Sequence, residues 1–236
     1  MDLNKKTAVV TGAGSGLGRA ISQALVAKGV KVFGLSRNWI TLGELKKELG
    51  ENFEPVKMDL RQKEKLQKWI NETFSEDFCP EILINNAGVG FFKEIDQTSD
   101  EEWLNAVNTN LNGMFFLTKP IAALMKKKKQ PAHIINIGSI LGMTTRSEAT
   151  AYCATKFGVR GFSEALFKEL RSHNIKVTSV NPGSIATEFF KSSNIEAHEN
   201  MLHPSDLAKT IVHVLETPEN MLINELTIRP LNPKHP

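Results

Sequence analysis

Residues 11–18 read Thr11-Gly12-Ala13-Gly14-Ser15-Gly16-Leu17-Gly18 (TGAGSGLG), and what stands on either side of them decides the fold. Ahead, Thr7-Ala8-Val9-Val10 is a short apolar run of the kind that forms a buried strand. Behind, Leu17, Ile21 and Leu25 recur at the spacing of one helix face, and Gly29 supplies a stop. A glycine-rich turn from strand to helix lets the backbone come close to a pyrophosphate, whose charge is favoured by the free N–H groups and the dipole at the helix start. The stretch therefore predicts a dinucleotide site. Its spacing, Gly12-x-x-x-Gly16-x-Gly18, is not the G-x-G-x-x-G of the standard dinucleotide fingerprint.

Outward from this turn, strand and helix alternate to the end of the chain. Residues 30–36 (VKVFGLS), 53–59, 81–86 (EILINN), 133–137 (HIINI), 176–180 and 225–229 read as six further strands. Helices are predicted around Leu42, Leu45 and Leu49, around Leu66, Ile70 and Phe74, over residues 149–171 and over 204–215. Another runs from Ser99, whose hydroxyl forms a capping box with Glu102, to the lysines at 126–129. With no repeat and no linker, the pattern predicts one α/β domain over residues 1–236, a doubly wound seven-stranded parallel sheet of the Rossmann type with helices on both faces. In such a sheet ligands sit outside the strand C-terminal ends.

Composition narrows the function classes. Hydrophobic residues at 41% and charged residues at 23% are ordinary for a globular chain, and a net charge of +3 points to no polyanionic partner. The run Lys126–Lys129 falls at a helix end, where cations suit the dipole, and no basic stripe interleaved with aromatics suggests nucleic acid. Only Cys79 and Cys153 are present, so neither a disulfide framework nor a cysteine-rich metal site is expected. No apolar run has membrane-spanning length and no signal peptide is evident, so a cytoplasmic protein without a membrane partner is expected.

The chemistry lies at the strand ends. An acid about 20 residues past the glycine turn would bind a ribose 2′-hydroxyl. That place holds Ser36 and Arg37, which can hydrogen-bond and pair with a 2′-phosphate, so NADP is favoured over NAD. Ser139 follows the fifth predicted strand, Tyr152 comes thirteen residues later, and Lys156 lies four beyond it. At i and i+4 of a helix, Tyr152 and Lys156 share one face, and a neighbouring ammonium favours the phenolate of a residue that is otherwise a weak acid. Tyr152 is the single tyrosine in a chain with thirteen phenylalanines. Other mechanisms lack their residues: no G-x-S-x-G elbow exists, and His203 falls one place too late after His198-Glu199 for H-E-x-x-H.

In order, TGAGSGLG, Asn85-Asn86-Ala87-Gly88, Ser139, Tyr152-x-x-x-Lys156 and Pro182-Gly183 resemble the short-chain dehydrogenase/reductase family in its single-domain form. The resemblance implies reversible hydride transfer between a nicotinamide and a carbonyl or secondary alcohol, without a metal. It assigns Ser139 to the carbonyl oxygen, Tyr152 to proton transfer, Lys156 to the tyrosine pKa and nicotinamide ribose, and Asn110 to a proton-relay water in a distorted helix. It also implies cofactor contacts from Gly12, Ser15, Gly16, Leu17, Gly18, Ser36, Arg37, Asp59 (adenine), Leu60, Asn86, Ala87, Gly88, Tyr152, Lys156, Pro182, Gly183, Ile185 and Thr187 (carboxamide).

Phe91, Phe92, Leu141, Met143, Phe189, Phe190 and Met201 fall in the loops where substrate identity is set, which suggests a hydrophobic or aromatic ketone or aldehyde, or a 3-oxoacyl compound. The short segment from Thr187 to Pro204 suggests an open site. Apolar breadth at Trp103, Val107, Leu111 and Met114–Phe116, with Phe157, Phe162 and Leu166, predicts a homodimer or homotetramer, since relatives pair through these helices. The enzyme reading stands beside two others: an NAD-dependent alcohol dehydrogenase of the same fold, and a non-catalytic NADP-binding sensor.

Overall fold

A computed structural model describes residues 1–190 and 199–232 of the chain. Among them, β1 (Thr7–Thr11), β2 (Lys31–Ser36), β3 (Phe53–Lys57), β4 (Ile82–Asn85), β5 (Ala132–Ile137), β6 (Ile175–Pro182) and β7 (Glu225–Ile228) form one sheet in the order β3-β2-β1-β4-β5-β6-β7. Every neighbouring pair is parallel. The central strands β1, β4 and β5 are buried along their whole length, as a sheet covered on both faces requires. Pro55, which cannot donate to a ladder, lies on the edge strand β3.

The helices are α1 (Gly16–Ala27), α2 (Trp39–Leu49), α3 (Lys63–Thr73), α4 (Asp100–Val107), α5 (Met114–Lys128), α6 (Thr150–Leu170) and α7 (Pro204–Glu216). Successive strand residues face opposite ways, so the sheet divides the core into two layers. Ala8 and Val10 pack with Leu17, Ile21 and Leu25 of α1 and with Leu207 and Ile211 of α7. Val9, Leu83 and Ile134 pack with Leu66 and Ile70 of α3 and with Leu117 and Ile121 of α5. No helix of the described residues is long and apolar enough to cross a membrane.

Local signals place the helix ends as expected. Asn38 Oδ1 caps α2, accepting from Ile40 N at 3.0 Å, and Ser99 with Glu102 closes a reciprocal capping box on α4. The long helix expected from Ser99 to the lysines is distorted around Asn110, as the family resemblance implies: residues Asn108–Gly113 are π-helical between α4 and α5. β3 also stops at Lys57, short of the expected Asp59, because the Asp59 carboxylate folds back to accept from Arg61 N and start a turn.

The sheet contains one buried titratable group away from the strand C-terminal ends. His133 on β5 is fully enclosed, and its Nε2 lies 2.7 Å from Thr178 Oγ1. The Thr178 hydroxyl donates to Ile223 O at 2.6 Å, so Nε2 is the protonated nitrogen and Nδ1 faces no partner among the described residues. A second proton on Nδ1 would place a charge in the dry core beside the Lys176 ammonium. Burial, with Lys176, accordingly pulls the pKa down to about 3.

The folded pKa lies below the ordinary 6.5, so this contribution is present in full above 6.5 and is lost as the pH falls from there toward 3. In urea unfolding at pH 7 and pH 5, the wild type is expected to lose about 2 kcal/mol more than His133→Gln, at about 1.4 kcal/mol per pH unit. Equal losses in the two proteins would contradict a buried neutral imidazole.

Candidate active site

The sheet order reverses between β1 and β4, and there the loops after β1, β4, β5 and β6 border one cavity of about 630 Å³. β1 brings the glycine turn, and its four glycines are needed in different ways. Gly12 and Gly16 have φ of +67° and +51°, a conformation that side chains strain. A Cβ on Gly18 would collide with Gly12 O and the Asn86 amide, and one on Gly14 would come within 2.9 Å of Ser36 Oγ. The turn is thus a close-approach backbone surface at the N-terminus of α1, bordered by the exposed Ser15. It fits the pyrophosphate of a dinucleotide, since each Cβ that would fill the cradle is missing.

β4 delivers Asn86, Ala87 and Gly88. Asn86 Nδ2 donates to Thr11 O at 2.9 Å, while Asn86 N and Ala87 N donate to Thr11 Oγ1 at 2.9 and 3.0 Å. These bonds tie the ends of β1 and β4 together and leave Gly88 facing Lys156 Nζ. Thr11, the first residue of the glycine stretch, is the shared acceptor.

Two residues past β5, Ser139 caps a short 3₁₀ turn by accepting from Leu141 N at 3.1 Å. α6 presents Tyr152 and Lys156 one turn apart, both buried. The Tyr152 ring lies between those of Phe92 and Phe189, at centroid distances of 5.3 and 5.8 Å. Lys156 Nζ lies 5.6 Å from the Tyr152 ring centroid and donates to Ile137 O at 2.9 Å.

Burial pushes the Tyr152 phenol up to about 12, with a hydrogen bond to Ser139 working the other way. Burial also pulls the Lys156 ammonium down to about 8. The expected lowering of the phenol by Lys156 is not what sets its shift here: removal from water raises it, and Lys156 is directed to the Ile137 carbonyl. At neutral pH the pair is a protonated phenol beside an ammonium.

Asn110 sits in the π-helical turn and joins three elements. Its Nδ2 donates to Val89 O and Thr155 Oγ1, each at 2.9 Å, and its Oδ1 accepts from Val89 N at 2.8 Å. A second, water-sized cavity lies behind the first, bordered by Asn110, Lys156, Leu60 and Asn85, whose Oδ1 has no partner among the described residues. The roles of Thr155 and the Ile137 carbonyl carry no sequence signal, since both are common residues acting through geometry.

Of the remaining expected residues, Leu17, Pro182, Gly183, Ile185 and Thr187 border the main cavity, and Gly18 lies beneath the turn. Ser36 and Arg37 stand beyond it at the end of β2, Ser36 beside Gly14 and Arg37 exposed. Asp59 is held by Arg61 Nη2 at 2.6 Å, and the Arg61 hydrogen bonds keep its carboxyl below the usual range, with Arg37 contributing. The side chain of Phe190 and residues 191–198 of the suggested open segment lie outside the described residues.

Comparisons with known proteins point to oxidoreductases. The sequence pattern of the short chain dehydrogenase family matches residues 6–198. An uncharacterized oxidoreductase of Staphylococcus saprophyticus is 31% identical over 98% of this chain and 100% of its own length. A farnesol dehydrogenase of Aedes aegypti is 34% identical over 97% of each chain. Among solved structures, a closed serine dehydrogenase complexed with NADP+ superposes with a TM-score of 0.86 at 31% identity, covering 94% of this chain and 93% of that one. A 3-ketoacyl-(acyl-carrier-protein) reductase from Brucella melitensis complexed with NADH gives 0.88 at 25% identity, covering 95% and 97%.

Asn110→Ala removes three hydrogen bonds and leaves both Val89 backbone groups unpaired, so denaturant unfolding is expected to show a loss of roughly 2–4 kcal/mol. A change under about 0.5 kcal/mol would show that the π-helical turn does not depend on this side chain.

Proposed function

The chain belongs to the short-chain dehydrogenase family and is a nicotinamide-dependent oxidoreductase, and we propose that it is an NADPH-dependent reductase of hydrophobic or aromatic ketones and aldehydes. The observation that supports this most is the meeting of Ser139, Tyr152 and Lys156 with the glycine turn around one cavity. A bound nicotinamide dinucleotide supplies the hydride that the carbonyl carbon accepts.

In this reading the protein does the rest. Ser139 Oγ donates a hydrogen bond to the carbonyl oxygen and fixes its position. Tyr152, a protonated phenol at neutral pH, gives that oxygen a proton as negative charge develops on it. Lys156 stands near enough to stabilise the phenolate left behind. Asn110 and the small cavity beside Lys156 form the route by which a water returns the proton. Gly12, Ser15, Gly16 and Leu17 hold the pyrophosphate, Asn86 to Gly88 the ribose, and Pro182, Gly183, Ile185 and Thr187 the nicotinamide end. Asp59 and Leu60 border the adenine.

Ser36 and Arg37 support NADP over NAD, since an exposed guanidinium attracts a 2′-phosphate and no carboxylate stands at the end of β2 to bind the hydroxyl instead. Phe91, Phe92, Leu141 and Phe189 on the cavity wall support an apolar substrate, which the name of the mosquito relative also suggests. Trp103, Leu104, Phe115 and Phe157 expose 40–54% of their surface on α4 to α6 and support association of copies through that face. A monomeric mass by light scattering at micromolar concentration would contradict the association.

Titration with NADPH and NADH, then turnover of aromatic and aliphatic carbonyls, tests the reading. Tyr152→Phe should lower kcat by about 10²-fold or more while leaving NADPH binding nearly unchanged. Arg37→Asp should shift the cofactor preference toward NADH by roughly 10-fold or more, the worth of a charge-assisted hydrogen bond. Wild-type preference for NADH, or full activity of the phenylalanine variant, would contradict it.

A further inference from the structure

The cavity wall is apolar around the reacting centre, yet it also includes a guanidinium. Arg146 belongs to the loop between the Ser139 turn and α6, and it borders the cavity on the side of Phe92 and Tyr152. Its Cζ lies 5.9 Å from the Phe92 ring centroid, and the Phe92 ring is in turn packed against Tyr152 at 5.3 Å. The aromatic face orients the guanidinium from one side and leaves its N–H groups for another partner. Among the described residues Arg146 makes no ion pair, whereas Arg19, Arg61 and Arg160 each hold a carboxylate.

We propose that Arg146 is a specificity-determining residue that binds a carboxylate on the substrate, so that the compound reduced is an oxo acid with an apolar or aromatic body. This rests on the carbonyl-reductase reading and names its substrate class. A planar guanidinium matches a carboxylate through two parallel N–H···O bonds.

The charge balance of the wall selects a single negative charge. Among the described residues the other cation bordering the cavity, Lys156, is directed to Ile137 O. A phosphate dianion would meet one guanidinium for two charges, whereas a carboxylate monoanion is matched by that one fork. Arg146 and Tyr152 both pack against the Phe92 ring, so a substrate that reaches from one to the other places its carboxylate and carbonyl several bonds apart along an apolar wall.

The test uses 4-oxo-4-phenylbutanoate and its methyl ester as substrates with NADPH, and calorimetric binding of the unreactive 4-phenylbutanoate. Arg146→Met should raise KM for the acid about tenfold or more, the worth of a charge-assisted hydrogen bond, while kcat and the ester kinetics stay within about twofold. Arg146→Lys should recover part of the loss, and 4-phenylbutanoate should bind more weakly to Arg146→Met by a similar factor. If the ester turns over and Arg146→Met changes acid and ester alike, the carboxylate site is refuted and the reductase reading stands. If neither compound turns over but 4-phenylbutanoate still binds in an Arg146-dependent way, the site is supported and the reductase reading fails.

Discussion

The Tyr152 phenol and the Lys156 ammonium are held out of water one helical turn apart, and burial drives them in opposite directions, the phenol up to about 12 and the ammonium down to about 8. Both remain protonated at neutral pH, which is the state an acid must have before it can give a proton to a carbonyl oxygen. Such a pair is stable only where its polar atoms have partners. Ile137 O accepts from Lys156, and a hydrogen bond with Ser139 meets the phenol. The end of β5 therefore serves both: its last carbonyl, Ile137 O, holds the cation, and Ser139, two residues on, meets the phenol.

The surrounding structure fixes that arrangement by close contact. A Cβ on Gly142 would press on the Lys156 backbone within 2.6 Å, so the Ser139 turn and α6 can meet only with glycine there. Asn110 ties the π-helical turn to Val89 and Thr155, and Thr155 in turn donates to Tyr152 O. On the other wall, Thr11 and Asn86 lock β1 to β4, which sets the glycine turn across the crevice from α6. The same reversal of strand order that opens the crevice puts the glycine turn and the Tyr152–Lys156 pair on its two sides.

The sequence makes the alternation of elements legible, because each buried strand is a short apolar run and each helix repeats Leu, Ile or Phe on one face. The glycine turn, Ser139, Tyr152 and Lys156 are legible because their residue types and spacings have few other uses. The distortion at Asn108–Gly113 is legible only through the family resemblance, since apolar spacing through Leu111 and Met114 reads as one continuous helix while Asn110 reaches out to Val89. The engagement of Asp59 by Arg61 and the upward shift of the phenol are not legible, since each depends on which atoms are dry and which partner stands nearer. Arg146 is one exposed arginine among several until the structure sets it over Phe92.

Because Tyr152 is the single tyrosine of the chain, the near-ultraviolet absorbance of tyrosinate reports this one group directly. A pH titration of the free protein, of the protein with NADP+, and of Lys156→Met tests the coupling of the two side chains. No tyrosinate is expected in the free protein at pH 10, and it should appear at lower pH with NADP+ bound, in the wild type but not in Lys156→Met. An ordinary titration near pH 10, indifferent to cofactor and to Lys156, would contradict it.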